Sequence, residues 1–228
     1  MDKNTKEHKN NNDWGIRTGS LIGFIIGLVL LTISAYVAHK HQLTGLQASL
    51  FHNINNENLP SVFTTAAKWI TEGLGAGYAI AACILISLIF KKFKLAWQFL
   101  FVTAGAGVVA DLILKPLVKE PRPFALLKGT NLHTRVFESD LGFPSGHATE
   151  ATAMALMLWF ILPSRWRWLS VLWILLVGWS RLYLGVHTPI DILGGIGVGL
   201  AAVSFLRLLP IKISKPLRLD IDDLHPVD

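Results

Sequence analysis

Apolar residues in this chain fall into long runs separated by short charged patches. The runs cover Leu21–Val37, Gly73–Phe90, Leu95–Val118, His147–Leu162, Leu169–Val186 and Ile190–Leu206. Each is close to the ~20 residues a helix needs to cross a hydrocarbon core about 30 Å thick. Backbone groups in lipid must find partners within the segment, which a helix provides. The fourth and last runs are short and need flanking residues to complete a crossing. The pattern predicts an all-α integral membrane protein, a bundle of six transmembrane helices over residues 17–209. A polar tail, residues 1–16, precedes it and a second tail, residues 210–228, follows. Met1–Asp13 is expected to be disordered. The first run is too long for a signal peptide and lacks a small-x-small cleavage site, so it reads as an uncleaved anchor.

Composition agrees. Of 228 residues 52% are hydrophobic and only 16% charged, and the mean hydropathy is +0.47. Soluble domains carry about a quarter charged residues, and disordered chains show the reverse balance. The lone cysteine, Cys83, excludes an intramolecular disulfide or a cysteine zinc site and reads as a small buried hydrophobe. Small residues four apart, Gly23/Gly27, Gly73/Gly77 and Gly195/Gly199, predict close helix crossings. The Gly194–Gly199 stretch lacks the lysine and the strand-turn context of a nucleotide loop.

The net charge of +6 points to membrane orientation and not to nucleic acid, because of where the charges fall. Most of the 21 Lys and Arg lie in the N-terminal tail, around Lys91–Lys94, at Arg165 and Arg167, and after Arg207. The positive-inside rule then makes both termini cytoplasmic and turns connections 38–72, 119–146 and 187–190 outward.

Ionisable groups near membrane depth mark functional sites by default. Here they cluster at the outward ends of the third to sixth runs. Lys115, Arg122 and Arg181 form a cationic cage for a multiply charged anion, with Arg suited to bidentate phosphate bonding. Ser145 and the backbone at Gly146, where a helix begins, add neutral donors and a favourable dipole. His187 and Asp191, four apart, share one helix face, so the carboxylate can fix the imidazole tautomer and leave the other nitrogen nucleophilic. His147 is then the candidate general acid. No carboxylate cluster or His/Cys set suggests a metal, and the cations supply the charge stabilisation a metal ion would bring. The chemistry described is phosphoryl transfer through a phosphohistidine, with no cofactor.

Lys115-x6-Arg122-Pro123, Pro144-Ser145-Gly146-His147 and Ser180-Arg181-x5-His187-x3-Asp191 resemble the three-part signature of the type 2 phosphatidic acid phosphatase superfamily. The resemblance covers roughly residues 60–206. It implies a six-helix membrane fold with an outward-facing site. It also implies the roles: His187 nucleophile, Asp191 its partner, His147 acid, and Lys115, Arg122, Ser145, Gly146 and Arg181 holding phosphate.

Several readings stay open at this level. His187 and Asp191 also suit a helix cap, and Arg181 suits snorkelling to the interface. Asp111, one turn before Lys115, suits an ion pair with it. Glu150, one turn after His147, is either a tuning group or a structural carboxylate facing the cavity. Lys128, His133 and Arg135 belong to a long connection, 119–143, that is either a substrate lid or simply solvated. Trp173 and Trp179 read as packing or interfacial-belt residues, ahead of a sugar platform. The favoured function is a lipid phosphatase of a bacterial cytoplasmic membrane, with undecaprenyl diphosphate the preferred substrate. A lipid phosphotransferase and a non-catalytic lipid-phosphate carrier are the alternatives, and the oligomeric state is not encoded legibly.

Overall fold

The computed structural model describes residues 3–40, 45–56, 59–75, 77–89, 91–134 and 141–209, and all regular structure among them is helical. The helices are α1 Lys3–His39, α2 Gly45–Asn55, α3 Ser61–Gly75, α4 Gly77–Ile89, α5 Phe93–Val108, α6 Lys115–Val118, α7 Pro123–Leu126, α8 Gly146–Ile161, α9 Trp168–Tyr183 and α10 Pro189–Leu208. A π-helical turn, Val109–Leu114, joins α5 to α6, so the backbone stays helical from Phe93 to Val118.

The polar head departs from expectation, since α1 begins at Lys3 and includes residues expected to be disordered. Once the apolar stretch is helical, further turns add at its end without a new nucleation cost. The tail 210–228 and Arg135 lie outside the described residues.

Packing centres on α10. A Cβ on Gly27 would stand 2.8 Å from Gly197 O and 2.6 Å from Ala201 N, so α1 crosses α10 with backbones nearly touching. On the other side, a Cβ on Gly199 would meet Thr149 O at 2.7 Å, which sets the α8 crossing. Between α5, α8 and α10 lies a core built from Phe99, Val102, Met154, Met157, Val198 and Val203. Inside a bilayer such contacts gain from close packing more than from excluding water. The third small pair differs. Nothing lies within 4 Å of a Cβ at Gly73 or Gly77. They flank a 47° bend between Ser61–Leu74 and Gly77–Ile89, and make no close crossing.

Arg17–His39, Phe93–Leu126 and Pro189–Leu208 are each long and apolar enough to cross a membrane, and the bent α3–α4 pair would be a fourth. Helices α8 and α9 have 16 residues each, too few to cross alone. The outer surface is apolar: Leu112 is 71% exposed, Leu117 70% and Leu175 63%. Soluble proteins do not leave so much apolar surface in water, and the molecule is an integral membrane protein.

Candidate active site

The site forms where α6, α8, the α9–α10 turn and the segment after α6 meet. Thr188 closes the turn and caps α10: its Oγ1 accepts the Asp191 N–H at 3.3 Å, while Asp191 Oδ2 accepts the Thr188 N–H at 2.7 Å. Pro189 suits the first helical position, where no N–H is needed. The same Asp191 Oδ2 lies 3.3 Å from His187 Nδ1. A cap and an imidazole partner, alternatives in the sequence, are thus one oxygen atom.

His187 is 1% exposed. On its other face Arg122 Nη1 donates to Nε2 at 2.8 Å and to Val186 O at 2.8 Å. With Nδ1–H turned to the carboxylate, Nε2 carries the lone pair. Burial first, and then the charges of Arg122, Arg181, Lys115 and His147, hold the imidazole well below the usual histidine range. The ring is neutral at physiological pH.

Lys115 pairs with Asp111 across the π turn, Nζ to Oδ1 3.0 Å. Such turns interrupt the regular i+4 register and are frequent at functional sites. Ser145 is the N-cap of α8, its Oγ accepting from Ala148 N–H at 3.4 Å. The turn before it is held by Ser145 N–H donating to Asp191 O at 3.1 Å. The first N–H groups of a helix lack intrahelical acceptors, so this end presents donors beside Lys115. Arg181, 3% exposed, donates from Nη1 to Thr71 Oγ1 of α3 at 3.0 Å.

These elements enclose a cavity of about 170 Å³. Lys115, Arg122, Gly146, His147 and His187 line it, together with the carboxylates Asp111 and Glu150. Ser145, Arg181 and Asp191 stand behind that wall, where Asp191 touches His187 directly and Arg181 acts on it through its charge. Glu150 faces the cavity and packs on α5, where a Cβ at Gly107 would lie 2.9 Å from its Oε1.

Three contributors escaped sequence reasoning. Thr71 holds Arg181 from 110 residues away. Glu120, 1% exposed, sits inside the spacer between Lys115 and Arg122 and neighbours Asp191: a Cβ at Gly142 would stand 3.4 Å from Glu120 O and 3.5 Å from Asp191 Oδ2. Its only sequence signal was a charge two residues before the arginine. Asn55 of α2 donates to Asn131 O (2.8 Å) and Tyr183 O (3.0 Å) and accepts from Asn131 N–H (2.7 Å). The His133 ring stacks on Tyr183 at 4.6 Å. The described part of the long connection is therefore fastened to α2 and to the end of α9, while Lys128 is exposed. Trp173 donates to Leu74 O at 2.9 Å and Trp179 stacks on Tyr183, so both pack within the protein.

A helical membrane protein with this cavity belongs among the phosphatases that act on lipid phosphates. Residues 95–213 match the PAP2 superfamily, and the chain is a member of it. It is 28% identical over 198 residues to an undecaprenyl-diphosphatase of Sulfolobus acidocaldarius, covering 86% of this chain and 93% of that one. It is 32% identical over 177 residues to the undecaprenyl-diphosphatase BcrC of Bacillus subtilis, covering 75% and 84%. Among solved structures, the transmembrane PAP2 type phosphatidylglycerolphosphate phosphatase of Bacillus subtilis superposes with TM-score 0.63 at 25% identity, covering 80% of this chain and 94% of that one.

Proposed function

We propose that this protein hydrolyses a lipid phosphate or diphosphate, with undecaprenyl diphosphate favoured, through a phosphohistidine and without a metal ion. The observation that carries the reading is the neutral His187 at the cavity wall, with Asp191 Oδ2 3.3 Å from Nδ1 and Arg122 Nη1 2.8 Å from Nε2. A simple phosphate-binding pocket has no need of an oriented nucleophile. The names of the two undecaprenyl-diphosphatases support the substrate class.

In the first step Arg122 turns its N–H from Nε2 of His187 to a phosphoryl oxygen, the freed lone pair bonds to phosphorus, and the bond from phosphorus to the lipid oxygen breaks. His147 gives its proton to that oxygen. Lys115, Arg122 and the Gly146 N–H stabilise charge on the three remaining oxygens, while Arg181 adds positive charge and Ser145 caps α8 from behind the cavity wall. In the second step water attacks phosphorus, its proton passes to His147, and the N–P bond breaks to release phosphate and regenerate the imidazole. Asp191 holds Nδ1–H throughout.

The topology that serves this chemistry has six spans: α1, the bent α3–α4 pair, α5–α6, α8, α9 and α10. Flanking residues complete the crossings of α8 and α9. Both termini face the cytoplasm and the cavity opens at the outer interface of the cytoplasmic membrane, in keeping with the distribution of Lys and Arg. A headgroup reaches the cavity there while its tail stays in the bilayer.

The test uses protein purified in detergent with EDTA, a panel of lipid phosphates and diphosphates, and released phosphate as readout. Wild type turns over and His187→Ala does not. Undiminished release by His187→Ala removes the nucleophile assignment. Binding without turnover on any lipid supports a carrier, and labelled phosphate appearing on an added lipid acceptor supports a transferase.

A further inference from the structure

The segment that follows α6 approaches His187 from both sides. Lys119 takes a left-handed conformation (φ 57°) that ends the helix, and Gly142 N–H donates to Glu120 O at 2.7 Å. This fixes Glu120 and Arg122 in one short stretch. Arg122 meets Nε2 of the imidazole directly. Glu120 neighbours Asp191 across Gly142, and Asp191 Oδ2 faces Nδ1.

Asp191 is fully buried and Glu120 nearly so. Asp191 Oδ2 is satisfied by Thr188 N–H and His187, but Asp191 Oδ1 and Glu120 Oε2 are both buried with no hydrogen-bond donor. A hydrogen bond between two carboxyl groups requires one proton between them. A lone buried carboxylate oxygen with no donor is costly, and that proton removes the cost.

We propose that Glu120 is a positioning residue for the phosphoryl-transfer reaction, sharing one proton with Asp191 so that the pair carries a single negative charge behind His187. The inference rests on His187 being the nucleophile. Its chemical effect follows from charge. A fully charged, undonated Asp191 draws the Nδ1 proton towards itself. That favours attack by Nε2 but makes the imidazole a poor leaving group when the N–P bond must break. A donor on Oδ1 moderates the carboxylate, keeps the proton on Nδ1 and balances the two steps. Arg122 from the same segment, Thr188 and His187 face the pair, while Lys115 of α6, His147 of α8 and Arg181 of α9 act on His187.

The test measures kcat and KM of full-length protein on a polyprenyl diphosphate in mixed micelles, between about pH 5.5 and 9.5. The variants are Glu120→Gln, Glu120→Leu and His187→Ala. Glu120→Leu should lower kcat about 10- to 100-fold, the consequence of an undonated Oδ1, with KM changed less than about threefold. Glu120→Gln keeps a donor and should recover most of that loss. Wild type and Glu120→Gln should both lose kcat on the alkaline side as the acid His147 deprotonates, but wild type should fall further as the shared proton also leaves, and Glu120→Gln, which has no such proton, should not show that second decline. Full activity in Glu120→Leu, or superimposable alkaline profiles for wild type and Glu120→Gln, overturns the proposal. If Glu120→Leu does not fold, the Glu120→Gln profile alone decides. Turnover by His187→Ala overturns the nucleophile assignment instead, whatever the Glu120 variants do.

Discussion

Asp191 is the residue on which most of the site's geometry converges, and its replacement is informative at the residue scale. Asp191→Asn keeps an oxygen for the Thr188 N–H but presents the wrong group to Nδ1. Loss of tautomer control of this kind lowers kcat by about 10³- to 10⁴-fold in histidine-dependent hydrolases. Phosphate release should fall by that order while the melting temperature in detergent changes little; a loss under tenfold would count against orientation by Asp191. His187 makes a second prediction, about pH. Its folded pKa lies below its unfolded value of about 6.5. The unfolded chain therefore binds the proton first on acidification, so the stability of the neutral buried ring is full above about pH 6.5 and drains as pH falls below it. Between pH 7 and 5 the melting temperature of wild type should drop further than that of His187→Gln, and parallel slopes would refute the assignment. The residues that line the cavity were legible in the sequence because histidines and cations are conspicuous in apolar runs. Their supports were not: Thr71 is an ordinary threonine until Arg181 is seen to reach it, and Glu120 looks like one more charge in a variable spacer.

Elements were legible to the extent that length and hydropathy determine them. Each apolar run became a helix or most of one, since lipid leaves the backbone few other options. What hydropathy cannot report is hydrogen-bond register, which is why the π turn beside Lys115 and the bend between α3 and α4 went unseen. Small-residue pairs likewise say where backbones can approach and not whether a partner helix is there. Two substitutions separate the cases. Gly27→Leu pushes side-chain atoms into the α10 backbone and should cost about 1–3 kcal/mol or more. Gly73→Ala meets open space and should be neutral or stabilising by about 0.5–1 kcal/mol through its better helix propensity. Thermal unfolding in one detergent compares them, and equal shifts would deny that α1 and α10 are locked together by their glycines.

For the whole molecule, the sidedness of the cavity is the property that a lipid substrate reads. Lys128 is exposed on the cavity side of the bundle's connections and Arg165 is exposed in the turn between α8 and α9. In a Cys83→Ser background, Lys128→Cys should react with an impermeant maleimide added to intact cells, whereas Arg165→Cys should react only after permeabilisation. Equal labelling from one side would invert or break the proposed topology. An expectation of sidedness was readable from charge asymmetry because it is a statistical sum over many residues. The fastening of the long connection by Asn55 was not, because it depends on single contacts between residues 76 apart.

The double duty of Asp191 carries a lesson for tracing descent. A daughter protein that abandoned turnover would still be under pressure to keep an acceptor at this position, because discarding it frays the start of the last helix. Retention of that carboxylate is therefore poor testimony to surviving activity. The imidazole next to it is buried and accepts from Arg122 but caps no helix, so such a lineage could lose it sooner, and it is the better marker of a working enzyme.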